Sequence, residues 1–215
     1  MTRSLESLAT SVFVAGTDTG IGKTHVAVAL LRSLAAVGRR VAAMKPVAAG
    51  ATLCADGLRN DDALALAAAA SITLPYELVN PICLPLAASP HLAARAANRP
   101  IDIATLVLAY ARIAKQADIV VVEGAGGWLA PISATETMAD LARALQLPVL
   151  LVVGVRLGCI NHSLLTADAI RRGGLELAGW VANPIDLHFA TARDSVDAIA
   201  ERLPGITRYI LPGSF

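Results

Sequence analysis

Near the start of the chain stands Gly16-Thr17-Asp18-Thr19-Gly20-Ile21-Gly22-Lys23-Thr24, between a β-branched run and a segment of helical character. Glycines at 20 and 22 let backbone N–H groups turn inward around phosphate oxygens, and a following helix adds its positive amino end. Lys23 can then bridge the outer phosphates of a nucleotide, and the Thr24 hydroxyl can ligate Mg²⁺. The spacing departs from the strict phosphate-loop pattern, because Thr17 stands six places before Lys23 and Gly16 comes one residue earlier. The competing reading is a glycine-rich strand-to-helix turn with an ordinary solvated lysine.

Magnesium bound with a nucleotide needs one or two carboxylates besides a hydroxyl, since it keeps several waters. Glu123 ends the apolar run Ile119-Val120-Val121-Val122 and is followed by Gly124-Ala125-Gly126-Gly127. A solvated strand end or a helix cap would explain the same glutamate. Asp61 and Asp62 open an alanine-rich segment, where helix capping or compensation of the helix dipole competes with metal binding. Lys45 follows another apolar run and precedes Pro46, so its ammonium is expected at the same sheet edge as Lys23. There it could neutralise charge developing on oxygen during phosphoryl transfer, although a lysine snorkelling from a strand end fits almost as well.

The elements that must position these residues alternate. Strands are expected at Val12–Ala15, Val41–Val47, Ile119–Glu123, Val149–Val153 and Gly179–Ala182, and helices at Lys23–Val37, Asp61–Ala70, Asp102–Ala117, Met138–Leu145, His162–Arg172 and Ala190–Arg202. Strands without polar alternation imply a sheet covered on both faces, which gives a doubly wound, mostly parallel α/β sandwich of three layers, like that of P-loop NTPases. Ligands in such folds gather beyond the carboxyl ends of the strands. From Ser71 to Pro100 five prolines interrupt any regular element, so a loop-rich excursion over one sheet edge or over the site is expected.

With 215 residues, 55% of them hydrophobic and 16% charged, the chain suits a single domain over 1–215. No apolar run approaches the roughly 20 residues that cross a bilayer, so no membrane role is expected. Met1–Thr10 reads as a short leader in a cytoplasmic protein. Three scattered cysteines suit reduced thiols, and a net charge of +1 without a basic block gives no footprint for nucleic acid.

Taken together, the motifs resemble the dethiobiotin synthetase family from Val12 to Gly213. The blocks that carry the resemblance are Gly16–Thr24, Met44–Gly50, Arg59–Leu64, Val121–Gly127, Gly154–His162 and Gly179–Asn183. The resemblance implies a cytoplasmic, homodimeric ligase of biotin biosynthesis that makes dethiobiotin from 7,8-diaminopelargonic acid, CO₂ and ATP. It implies a carbamate, its phosphorylation to a carbamic–phosphoric anhydride, and ring closure by the second amine. It places the triphosphate on Gly20, Ile21, Gly22, Lys23, Thr24 and His25, and Mg²⁺ on Thr24, Asp62 and Glu123. Lys45 becomes, with Lys23, the catalytic lysine. Gly124, Ala125 and Gly126 lie beside substrate and phosphate, while Asn183, Pro184, Leu211, Pro212 and Gly213 face the adenine. Gly158, Cys159, Ile160 and Asn161 are expected to reach across the dimer and offer N–H groups to the substrate carboxylate, as helix amino ends do for anions.

Two departures from the family pattern stand out. Ala49 replaces a common hydroxyl residue in the substrate-binding turn, which removes one side-chain hydrogen bond to substrate. The sequence ends at Phe215 where many members continue, from which an open adenine flank and relaxed nucleotide selectivity are expected. Alternatives from other classes are a dimeric P-loop switch ATPase, against which Asp18 stands where an early loop lysine is usual, and an amidoligase of the cobyrinic-acid type, which needs a glutamine-hydrolysing partner domain.

Overall fold

The computed structural model describes residues 1–211. In chain order its first half holds β1 (Thr2–Ser4), a 3₁₀ turn at Leu5–Ser7, β2 (Val12–Gly16), α1 (Lys23–Ala36), β3 (Val41–Met44), β4 (Val47–Ala49), β5 (Thr52–Cys54), β6 (Gly57–Arg59), α2 (Asp61–Ala69) and α3 (Tyr76–Val79). There follow β7 (Ile82–Leu84), α4 (Pro90–Ala96), α5 (Ile103–Ala114), β8 (Ile119–Glu123) and α6 (Met138–Leu145). The last are β9 (Val149–Val155), α7 (Cys159–Arg172), β10 (Leu177–Pro184), α8 (Ala192–Arg202) and β11 (Arg208–Ile210).

Seven strands form one sheet in the order β1-β11-β10-β9-β2-β8-β3, and every neighbouring pair is parallel. Strand alternation splits the core in two. Val12 and Val14 of β2 face Val26, Leu30, Leu31 and Leu34 of α1 and Leu66 of α2. Phe13 and Ala15 face the other way, into a larger cluster built with α4 to α8. Helices therefore cover both faces, which is why β8 and β9 are buried at every position and show no polar alternation.

The order of strands makes the site. From β2 the chain crosses through α1 to β3, skipping the place that β8 fills, while β9, β10 and β11 extend the sheet on the opposite side. Loops leaving β2 and its neighbours thus diverge, and a crevice opens at their carboxyl ends.

Four sequence expectations are corrected by the structure. Residues 1–10 are more than a leader: β1 pairs with β11 in the sheet, and Leu5 and Leu8 are buried. The run Val41–Val47 is two strands, because Pro46 lacks an N–H and the Lys45 N–H turns away to the Val79 carbonyl at 2.7 Å. Val47–Ala49 pairs instead with β7 in a separate parallel ribbon. The helix expected from His162 begins at Cys159, with Gly158 at φ 93° making the turn into it. Finally, the proline-rich stretch is ordered into α3, β7 and α4, with Pro90 at the first position of α4, where its missing N–H costs nothing.

Candidate active site

The loop after β2 closes around two glycines with left-handed backbone, Gly20 at φ 71° and Gly22 at φ 84°. Gly22 begins α1, whose amino end has no side-chain cap, so its first N–H groups and dipole are free to meet an anion. Lys23 folds back along the loop and donates to the Asp18 carbonyl at 2.9 Å. Gly16 explains the irregular spacing of the motif: a Cβ there would lie 2.9 Å from Lys23 Cδ and 3.0 Å from its Nζ. A glycine at that place lets the lysine pass without a shift of its side chain or of Ile21.

Beside the loop four side chains from separate segments converge. Lys45 Nζ donates to Glu123 Oε1 at 2.5 Å and to Asp62 Oδ2 at 3.3 Å, and Thr24 Oγ1 donates to the same Glu123 oxygen at 2.9 Å. Lys45 and Glu123 are 4% and 1% exposed, so each charge is held in a low-dielectric setting that tolerates it because the other is present. Lys23 is also buried. Desolvation, and then repulsion from the Lys45 ammonium, push the Lys23 ammonium down to about 8, against the attraction of Glu123, Asp62 and Asp18. A polyanion brought to this place would relieve that repulsion.

The competing readings of these residues can now be weighed. Asn60, and not an aspartate, caps α2: its side chain accepts from the Ala63 N–H at 3.3 Å, which leaves Asp62 turned toward Lys45. Glu123 is neither solvated nor a cap. Its Oε2 is buried and has no hydrogen-bond partner, so the carboxylate keeps an unused acceptor. A hydroxyl and two carboxylates make an all-oxygen set of the kind that a hard divalent cation takes together with phosphate and water. Among the described residues no three His, Cys, Asp or Glu side chains form a cluster that would hold a metal without such help.

These groups open into a cavity of about 780 Å³. One wall is the phosphate loop with Lys23 and Thr24, and Ala125 and Gly126 continue it below Glu123. A second part of the lining is mostly apolar: Val47, Ala48 and Ala49 from β4, then Ala87, Ala88 and Pro90, with Ser89 between them, from the proline-rich stretch. The excursion expected over an edge or over the site therefore lies over the site.

Other residues expected at the site lie outside this cavity. Gly124 is backed by the Phe13 ring, and its carbonyl accepts from Lys45 at 3.5 Å. Ile21, within the loop, and His25, just after it, do not line the cavity. Asn183 is behind the loop, where its Nδ2 donates to the Ile21 carbonyl at 2.8 Å, with Pro184 next to it at the end of β10. Leu211 is buried after β11, while Pro212 and Gly213 lie outside the described residues. Gly158, Cys159, Ile160 and Asn161 form the start of α7, with Cys159 buried and Asn161 exposed.

Sequence reasoning missed several residues that shape the site. Arg156 Nη2 donates to Asp18 Oδ2 at 2.6 Å and so braces the phosphate loop from the end of β9. Asn80, buried after α3, donates to the Lys45 carbonyl at 2.6 Å. Arg156 stands inside the block Gly154–His162, but nothing in that block pairs it with Asp18, 138 residues away, and Asn80 has no motif around it and lies 35 residues from Lys45.

Comparison with known proteins gives the family and the fold. The family model of the AAA domain matches residues 10–205. The ATP-dependent dethiobiotin synthetase of Pseudomonas aeruginosa strain UCBPP-PA14 is 53% identical over 193 residues, covering 89% of this chain and 85% of that protein. The protein of the same name from Xylella fastidiosa strain 9a5c is 48% identical over 205 residues, covering 94% and 91%. Among solved structures, the MinC:MinD cell division complex of Aquifex aeolicus aligns at 15% identity with a TM-score of 0.58, covering 95% of this chain and 83% of that one. A ParA family ATPase from Chlorobium tepidum aligns at 13% identity and 0.57, covering 95% and 86%. At such identities these two structures speak for the α/β P-loop fold alone.

Proposed function

Because this chain belongs to the family of ATP-dependent dethiobiotin synthetases, we propose that it condenses 7,8-diaminopelargonic acid with CO₂ at the cavity beside the phosphate loop, as a single catalytic domain. It is a ligase of biotin biosynthesis that consumes ATP. The observation that carries the placement is the convergence of Lys23, Lys45, Thr24, Asp62 and Glu123 at one rim of the sheet.

One amine of the substrate forms an N–C bond to CO₂ and loses a proton, giving a carbamate. A carbamate oxygen attacks the γ-phosphorus as the bond to the β–γ bridging oxygen breaks, and ADP leaves. The second amine then attacks the carbamoyl carbon of the mixed anhydride, the C–O bond to phosphate breaks, and the five-membered ureido ring closes with release of phosphate and a proton. Positioning and charge neutralisation suffice for such a sequence, because ATP supplies the leaving group.

The chain's own groups have clear parts in it. The open N–H groups of Gly20, Gly22, Lys23, Thr24 and His25 cradle the triphosphate. Lys23 and Lys45 offset the charge that grows on the transferring phosphoryl and leaving oxygens. For Lys45 this means exchanging its bonds to Asp62 and Glu123 for phosphate oxygens. Thr24, Asp62 and Glu123 would hold Mg²⁺, which supplies further neutralisation of the phosphates when bound. The alanine-rich wall of Ala48, Ala49, Ala87 and Ala88 suits the aliphatic carbons of the diamine.

The adenine is assigned to the flank of Asn183, Pro184 and Leu211, beside the far end of the loop. The enzyme is assigned to the cytoplasm as a homodimer, in which the uncapped start of α7 at Gly158–Asn161 receives the substrate carboxylate from the neighbouring copy's cavity. Its support is the Gly158 turn and the 85% exposed Leu157, neither of which serves the cavity of its own chain. No described helix is long and apolar enough to cross a membrane.

Incubation of the purified protein with diaminopelargonate, bicarbonate and Mg-ATP tests the reading. Dethiobiotin detected by mass, with one phosphate released per product, is expected. ATP hydrolysis without any dethiobiotin would refute it.

A further inference from the structure

The lysine and the aspartate that meet at the cavity come from different elements, and one phenol joins the two supports. Tyr76 at the start of α3 donates its hydroxyl proton to Asn80 Oδ1 at 3.0 Å and accepts from the Asn60 N–H at 2.8 Å. Asn80 is 2% exposed, and its Nδ2 donates to the Lys45 carbonyl at 2.6 Å and to the Ile82 carbonyl at 3.2 Å. The Lys45 N–H is held at the same place by the Val79 carbonyl. Both backbone groups of Lys45 are thus gripped by the end of α3. On the other side Asn60 caps α2, the helix that carries Asp62 in its first turn, and its Nδ2 reaches the Ala49 carbonyl at 3.4 Å.

We infer that Tyr76 is a positioning residue for phosphoryl transfer, fixing Lys45 relative to Asp62 by tying Asn80 to Asn60 through its hydroxyl. Tyr76 itself does not line the cavity, so it acts through those two residues and not on substrate. The Arg59 guanidinium lies over its ring, 4.3 Å from the centroid, and holds the ring in place. Burial raises the phenol to about 12, so the hydroxyl proton needed for the bond to Asn80 is retained across the working range.

The tie is sharp in its consequences because Lys45 must leave its carboxylate partners and still reach a phosphoryl group. An ammonium displaced by about 1 Å costs up to a hundredfold in rate without weakening nucleotide binding in proportion. Motion of Lys45 is then confined to its side chain, since its backbone is clamped on both sides.

The inference rests on the reading of the cavity as a dethiobiotin synthetase site, and the test separates the two. Tyr76→Phe keeps the ring under Arg59 and removes the hydroxyl bonds to Asn80 and Asn60 together with the contact to Cys83 Sγ at 3.6 Å; Thr73→Ser, at an exposed position of the same segment, serves as the control. Well below the melting temperature of either variant, Tyr76→Phe is expected to lower kcat by about tenfold or more while KM for ATP stays within about twofold. Hydrogen exchange is expected to quicken at once in residues 45–49 and 60–64, and Thr73→Ser to change neither readout. Unchanged kcat for Tyr76→Phe beside an active wild type would overturn the inference alone, as would exchange that quickens in one segment and not the other. A wild type that makes no dethiobiotin would sink the function, and the exchange arm would still judge the tie.

Discussion

The two walls of the charged site are made in opposite ways. The phosphate loop is nine consecutive residues, Gly16 to Thr24, whose working groups are largely backbone N–H donors exposed by two left-handed glycines and an uncapped helix. The cluster facing it is built from side chains whose hydrogen-bonded pairs are 17, 78 and 99 residues apart, for Lys45–Asp62, Lys45–Glu123 and Thr24–Glu123. A contiguous stretch can encode a backbone shape in its own residue types. A side-chain cluster needs the sheet to bring its members together, and each member then depends on a private support such as Asn80 or Asn60.

This contrast can be broken or sharpened by substitution. The largest effect is expected on the assembled wall. Lys45→Ala should lower the rate of dethiobiotin formation by about 10²- to 10³-fold, with ATP affinity by calorimetry changed far less. If turnover and binding fell together, Lys45 would belong to the binding wall instead. The same change leaves Glu123 buried without its cation, so a loss of about 3 kcal/mol in urea unfolding is also expected.

On the contiguous wall, two glycine variants should separate backbone shape from space. At Gly22 a Cβ would meet Asn183 Nδ2 at 2.1 Å, whereas at Gly20 nothing lies within 4 Å. Both positions carry the left-handed backbone cost of about 1–2 kcal/mol, or about 5- to 30-fold, so Gly20→Ala should weaken ATP binding by no more than that and Gly22→Ala by clearly more. Equal effects in a binding titration would mean that Asn183 does not brace the loop. The apolar lining gives a third, narrower effect: Ala88→Leu should raise KM for the diamine about tenfold and leave ATP affinity unaltered, because it fills space on the side assigned to the diamine's carbons.

The smallest effect concerns pH. The unfolded chain keeps the Lys23 proton up to the ordinary 10.5, whereas the folded chain keeps it to about 8. Between those values the unfolded state binds more protons, so this group makes stability rise with pH across that window, and its full penalty is present below it. Lys23→Met should flatten the rise in urea midpoints measured from about pH 7 to about pH 10. A steeper rise in the variant would show that Lys23 is not the group held down by burial.

What could be read from the sequence follows the same division. The glycine loop, the strand ending in Glu123 and the helices α1, α2 and α6 have signals several residues long, and their expected bounds agree with the structure to within a residue or so. Three-residue strands such as β1, β4, β7 and β11 carry no periodicity of their own and exist because a neighbour pairs with them. At α2 the pair Asp61-Asp62 offered two cap candidates, yet the cap is Asn60, and that choice frees Asp62 for Lys45. Tyr76 and Asn80 sit in a stretch that prolines mark as irregular, and their importance lies in partners that the sequence does not place next to them.

The most direct test is a crystal structure with a non-hydrolysable ATP analogue, Mg²⁺ and diaminopelargonate. It should show Lys23 and Lys45 both within about 3 Å of oxygens of the terminal phosphate, with the diamine along Ala48 and Ala88. A triphosphate lying elsewhere, while Lys45 stays bound to Glu123 and Asp62, would contradict the account.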